Sequence, residues 1–256
     1  MKKNQYDGIA HLEGLEFVKE LLVLEQTRFE SDQFLKGSTF EDINADFGIF
    51  PTIPTYPVYF TGDITMPEDK IIFMGINPGF KAESNIKEQA FLDRSGLFEG
   101  YCRLFGDFHF EKKGLLPYFA HIAGFLRRYF GIVETIDWDW YQNNFITLEL
   151  VPYHSADVNG LRFNNIKKYR EIYFEILLKF LKYLNPKKPI FINGFPTCKK
   201  LLEHSEFHDK VTSSEHDGFW TGKIGEYDFI GLPFLNRPRG GKDVLVSNLQ
   251  RHFPMR

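Results

Sequence analysis

Between Ile71 and Phe80 the chain reads Ile-Ile-Phe-Met-Gly-Ile-Asn-Pro-Gly-Phe, an apolar run that breaks at Gly75 into an Asn-Pro-Gly loop. A charged turn, Pro67-Glu68-Asp69-Lys70, precedes it. A short apolar run bounded by turn residues is the pattern of a buried strand. Pro78 and Gly79 then impose a sharp, open backbone at the strand's carboxyl end, where α/β sheets place ligands. Asn77 is thereby offered to a pocket as a donor and acceptor that carries no charge. Taken alone, Asn-Pro-Gly is equally an ordinary strand-to-loop turn.

Two other stretches carry chemistry-bearing residues. In Phe145-Ile146-Thr147-Leu148-Glu149-Leu150, regular alternation puts Phe145, Thr147 and Glu149 on one face and brings Glu149 to the strand's mouth. A buried carboxylate there needs a partner, either a ligand or an arginine in a structural pair. His154 follows closely, as a reader of a ligand edge or as a structural histidine. Farther on, Phe234-Leu235-Asn236-Arg237-Pro238-Arg239-Gly240-Gly241 ends the last strand. Its arginines suit phosphate contacts and its glycines let a backbone approach closely; the plain alternative is an exposed turn. His204 and His208 stand at i, i+4, but without a third convergent ligand they read as a polar helix face, and no metal site is expected.

The string Gly75-Ile76-Asn77-Pro78-Gly79, with Tyr56-Pro57-Val58-Tyr59 ahead of it, resembles the first catalytic motif of the uracil-DNA glycosylase superfamily. The single-strand-selective and mismatch-specific branches are the most similar. The resemblance implies that Asn77 positions the attacking water, that Gly75, Ile76, Pro78 and Gly79 form the loop gripping the base, and that Phe80 (or Phe91) stacks on it. The family's base-reading Asn falls near the second strand's end, where this chain offers Glu149 or His154. An ionised Glu149 only accepts hydrogen bonds, so it fits an edge rich in N–H donors better than it fits uracil. The family's His-Pro-Ser-Pro-like loop corresponds to Asn236-Arg237-Pro238-Arg239. Pro238-Arg239 matches the single-strand-selective ending, but no His precedes it. Asn236 would donate the weaker hydrogen bond to the base, while Arg237, Pro238, Arg239 and Gly240 would meet DNA.

The elements that must position these residues follow from periodicity. Leu12, Leu15, Val18, Leu21 and Leu22 give an amphipathic helix over 11–29, and Pro51, Pro54 and Pro57 make 38–66 an extended wrapping segment. Residues 81–114, punctuated by Gly96, Gly100, Gly106 and Gly114, read as a loop with short helices. Helices are expected over Pro117–Phe130, over 165–184 with Asn185-Pro186 as the stop, through Leu201-Leu202, and from Asp243 to His252. Strands are expected over Phe145–Leu150 and Pro189–Ile192, with 218–222 and 226–231 pairing as short strands. Alternating strands and helices predict an α/β fold. With the resemblance, the expectation is a three-layer α/β/α sandwich around a mostly parallel four-stranded sheet. Residues 1–55 supply an N-terminal helix and wrap, and 56–256 a uracil-DNA-glycosylase-like domain, in one globular unit.

At 256 residues the chain can bury one substantial core, and its 28 phenylalanines and 12 tyrosines exceed ordinary usage. Two cysteines, Cys102 and Cys198, offer neither a disulfide framework nor a metal cluster. No signal-like segment follows Met1, and no stretch approaches the roughly 20 apolar residues of a membrane span, so a cytoplasmic monomer without cofactor is expected. The net charge of −3 leaves phosphate contacts to local patches: Arg127-Arg128, Lys167-Lys168 with Arg170, Lys199-Lys200, or Arg237 with Arg239 and Lys242. The function expected is a DNA glycosylase for a uracil-like, damaged or modified base. The alternative is an inactive relative that binds a base, nucleotide or modified nucleic acid.

Overall fold

The computed structural model describes residues 8–32, 39, 55–76, 82–109, 114–153, 163–202, 210–236 and 240–253, with side chains from Ile172 onward in the helix 163–184. The expected opening helix is α1, Gly14–Ser31. Its stripe Phe17, Val18, Leu21 and Leu22 is buried, as helical spacing requires, and the same stripe continues into Glu25 and Arg28. That continuation is charged and buried, so it must be paired. Arg28 Nη1 donates to Glu25 Oε1 at 2.9 Å, and the Tyr59 hydroxyl donates to the same oxygen at 3.0 Å. Asp32 closes the helix in the left-handed region.

The sheet corrects the expected four-stranded one. It has seven strands: β1 (Phe60–Thr61), β2 (Ile71–Gly75), β3 (Phe145–Glu149), β4 (Ile190–Asn193), β5 (Val211–Glu215), β6 (Trp220–Ile224) and β7 (Tyr227–Leu232), ordered β1-β3-β2-β4-β7-β6-β5. The contiguous quartet β3-β2-β4-β7 is parallel. Antiparallel strands extend both its edges, β1 on β3, and β6 then β5 beyond β7. β6 and β7 are the expected pair of short strands, while β1 and β5 escaped periodicity for physical reasons. β1 is two residues long, and β5, Val-Thr-Ser-Ser-Glu, is polar and mostly open to solvent, as an edge strand can be.

Helices cover both faces. Against Ile72, Met74, Ile146, Leu148, Ile190 and Ile192 pack α1, and two helices introduced here as α6 (Phe163–Leu184) and α7 (Phe195–Leu202). Against Phe73, Phe145, Phe191, Ile230 and Leu232 pack α4 (Pro117–Phe130), α5 (Trp138–Asn144) and α8 (Lys242–His252). Phenylalanines fill both faces, and on this second one Phe73 stacks on Phe191 at 5.1 Å and meets Phe125 edge-on.

Residues 82–108 are more helical than expected. Helix α2 (Ala82–Ser95) turns at Gly96, φ +78°, into α3 (Leu97–Arg103), which runs on into a π-helical turn, Leu104–Phe108. The widened turn is stitched by Gln142: its Oε1 accepts Gly106 N–H at 2.9 Å and its Nε2 donates to the Cys102 carbonyl at 2.7 Å. Helix α5, which carries Gln142, was not expected either; Asp137 caps it by accepting the Trp140 N–H at 2.9 Å. Among the described residues no helix is long and apolar enough to cross a membrane.

Candidate functional site

Sheet register determines what gathers at the carboxyl ends of the parallel strands. Gly75 is level with Glu149 on one side, and Met74 pairs Ile192 on the other, which sets Gly75 beside Asn193; Asn193 in turn is level with Leu232. One row across the sheet therefore reads Glu149, Gly75, Asn193, Leu232. Alternation turns the row toward α4 and α8, the face of Phe73, Phe145 and Phe191. Two polar side chains thus flank a position with none.

Glu149 leans into that gap. A Cβ on Gly75 would stand 2.5 Å from Glu149 Oε2 and 3.1 Å from both Cδ and Oε1. Glycine is needed here for close approach, not for an unusual backbone angle. Oε2 is sealed from solvent with no hydrogen-bond partner, while the residue as a whole keeps partial exposure. Among the described residues no arginine or lysine pairs with it. Burial alone pushes its carboxyl up to about 8. That direction favours the acid form over the acceptor-only carboxylate considered from sequence. An un-ionised carboxyl both donates and accepts, as an amide does.

Asn193 is 6% exposed and held by the chain that leaves β7: its Oδ1 accepts the Leu235 N–H at 3.1 Å. This bond fixes which way the amide points, leaving Nδ2 for another partner. Tyr118, in the first turn of α4 beside Pro117, stands near Asn193 and Glu149. Burial, and then the nearby Glu149, push the Tyr118 hydroxyl well above the ordinary tyrosine range, with Asn193 opposing them weakly. The ring's outer side stays open, at 40% exposure for the residue. Next to Asn193, Gly194 (φ +73°) carries the Phe234 ring against its Cα, and Phe234 is 37% exposed. A flat, accessible ring at this rim can stack on a planar ligand.

Of the residues singled out from sequence, Gly75, Ile76 and Glu149 come together here, with Ile76 buried and its carbonyl accepting the Val151 N–H at 2.8 Å. Asn236 is exposed just past Leu235, and Gly240 follows with φ +73°. Asn77, Pro78, Gly79, Phe80, His154, Arg237, Pro238 and Arg239 lie outside the described residues, as do His204 and His208. Phe91 packs against the core and lies 5.6 Å from Phe108, which makes it a core ring. Among the described residues no group of His, Cys, Asp and Glu could hold a metal. Two of the candidate basic patches merge: Arg128 Nη1 and Lys242 Nζ both border Gly124, with Arg128 bonded to Asp243 at 2.6 Å and Lys242 to His121 at 2.9 Å. Burial and the neighbouring Arg128 hold Lys242 below the ordinary lysine range.

Sequence reasoning missed Tyr118, Asn193 and Phe234. Asn193-Gly194 closes β4. The available signal was its polar residue at the end of an apolar strand, a position that repeats the pattern of Glu149. Compared with protein-family models and with curated proteins, the chain matches none.

Proposed function

We propose that this chain is a monofunctional DNA glycosylase of the uracil-DNA glycosylase type, hydrolysing the N-glycosidic bond of a uracil-like, damaged or modified base. It would act in the cytoplasm as a cofactor-free monomer with DNA as its partner. One observation carries the reading: a buried carboxyl with no cationic partner among the described residues rests over Gly75 at the carboxyl end of a parallel sheet, immediately ahead of Ile76-Asn77-Pro78-Gly79. The motif supplies a neutral amide to orient water, and the carboxyl supplies a neutral donor and acceptor to meet a base. Excision requires the base to leave the stack and its departing charge to be stabilised, and neither needs a metal. Phe234 offers a stacking surface at the rim. The merged Arg128–Lys242 patch, on the helices flanking the site, supports contact with a phosphate backbone.

The test is cleavage of labelled oligonucleotides, single- and double-stranded, carrying uracil, thymine opposite guanine, hypoxanthine, or oxidised and hydroxymethylated pyrimidines. Alkali reveals abasic sites, and Asn77→Ala serves as control. Asn77-dependent cleavage of any member is the expected result. A blank panel from folded, DNA-binding protein would instead establish the alternative, an inactive module that keeps the pocket. Exposed Asn236, standing where the family has its histidine, and the net charge of −3 are the observations on that side.

A further inference from the structure

Three basic side chains converge where the start of α8 meets α4, and they hold more donors than the surrounding chain answers. Gly124 makes the convergence possible. A Cβ there would stand 3.4 Å from Arg128 Nη1 and 3.7 Å from Lys242 Nζ, so both cations close over a position with no side chain. Arg128 donates from Nη1 to the Gly124 carbonyl at 2.8 Å and from Nε to Asp243 Oδ1 at 2.6 Å. Lys242 Nζ meets His121 Nδ1 at 2.9 Å. An ammonium only donates, so Nδ1 accepts and the imidazole proton sits on Nε2. The Arg128 Nη2 amine, the other ammonium N–H groups and the imidazole Nε2–H meet no acceptor among the described residues. Asp243 answers Arg128 from a side chain 84% exposed, where water screens the attraction. Burial, and then Arg128, hold Lys242 below the ordinary lysine range, as two neighbouring cations with no anion between them require.

We propose that His121, Arg128 and Lys242 form a seat over Gly124 for one phosphate group, and that its occupant is a diester in the backbone of a nucleic-acid strand. The choice of a strand rests on the glycosylase reading; the seat itself does not. A diester offers two charged oxygens, one for the guanidinium and one for the ammonium, with His121 adding a neutral donor. Charge favours the diester over a terminal or free phosphate. Arg128, Lys242 and Asp243 together leave one positive charge in excess, which a single negative charge cancels. Position favours the strand. Tyr118, His121 and Arg128 stand at i, i+3 and i+10 on one face of α4, and Tyr118 is near Glu149. Gly124 lies about 9 Å along the helix from Tyr118 at 1.5 Å per residue. A strand whose base enters beside Gly75 therefore carries a neighbouring phosphate over Gly124.

The experiment is binding of a labelled, unmodified single-stranded oligothymidylate to the whole protein across a salt series, read by fluorescence anisotropy, with inorganic phosphate as competitor. For the wild type, log K should fall linearly with log salt. Because both cations serve one phosphate, Arg128→Gln or Lys242→Gln alone should weaken binding several-fold yet leave the slope nearly intact. The double variant should lose about 0.7 from the slope, the share of one phosphate on a single strand. Lys242→Arg should restore binding that Lys242→Gln loses, and His121→Ala should weaken it several-fold with the slope unchanged. Inorganic phosphate, meeting the seat without the rest of the strand, should compete far more weakly than unlabelled oligonucleotide. A slope that drops by the full amount in each single variant puts the cations on different phosphates and overturns the shared seat. A double variant that binds like the wild type, or a wild type that does not bind, overturns it as well. Inorganic phosphate competing as well as the oligonucleotide overturns the strand as occupant. The two readings fail separately: this salt pattern with a blank cleavage panel would sink the glycosylase alone, whereas Asn77-dependent cleavage indifferent to both cations would sink the seat alone.

Discussion

Replacing Glu149 by Gln should stabilise the protein, by an amount that grows with pH. In the unfolded chain the carboxyl ionises near its ordinary 4.5, whereas burial holds it up to about 8 in the folded protein. Between those values the folded state binds the extra proton, so folding stability falls as pH rises. Below pH 4.5 both states are protonated and nothing is lost. Above 8 the folded state must bear a buried charge or open to hydrate it. At about 1.4 kcal/mol per pH unit, the interval amounts to on the order of 4–5 kcal/mol. Gln keeps the shape and the neutral donor–acceptor pair without the ionisation. The assay is urea denaturation followed by the fluorescence of Trp138, Trp140 and Trp220 at pH 5 to 9, for both proteins under identical buffers. Other titrating groups are common to both, so the difference isolates residue 149. The two should nearly coincide at pH 5, with the variant pulling ahead by several kcal/mol at pH 9. A constant offset, or a wild type that gains on the variant as pH rises, would refute an uncompensated carboxyl over Gly75.

Gly75→Ala should cost about 1–3 kcal/mol, because a methyl there meets the carboxyl at contact too close to keep; thermal unfolding should show the cost shrink in a Glu149→Ala background, and equal costs in both would dissociate the two residues. Asn193→Leu should cost about 1–3 kcal/mol by leaving the buried Leu235 N–H without its acceptor, and denaturant melts showing no loss would mean the bond is dispensable. Arg28→Met should be the harshest of these, about 3–5 kcal/mol, since it strips the cation from buried Glu25; Arg28→Met with Glu25→Met should recover much of it in the same melts. Asn77→Ala should lower turnover by orders of magnitude with DNA binding nearly intact, and comparable loss of both would argue against a water-positioning role.

Legibility in the sequence followed the strength of local signals. The apolar runs at Ile71, Phe145 and Ile190 announced β2, β3 and β4, and alternation along β3 was enough to put Glu149 on the correct face. The proline at 117 and the stop at Asn185-Pro186 marked the helices that cover the sheet. What failed depended on tertiary context. β5 is a strand because β6 pairs with it, not because its own residues demand it. The state of Glu149 is likewise invisible to sequence, since only the folded packing shows that its Oε2 is buried over Gly75 without a hydrogen-bond partner. Tyr118 comes near Glu149 from a distant part of the chain, through a helix whose docking no local pattern encodes.

The mixed sheet also orders events in time. Strands β5, β6 and β7 form an antiparallel meander within residues 211–232, closing short loops at small entropic cost. The row that builds the site instead needs β2 beside both β3 and β4, pairings that bridge residues 71–149 and 73–192. Parallel contacts of such span are rewarded only after long segments have been brought home. During refolding, protection of the meander's amides from hydrogen exchange should therefore precede protection of those in β2. A ligand that needs Glu149 over Gly75 would bind only the last species to form, so binding competence should lag behind the recovery of secondary structure.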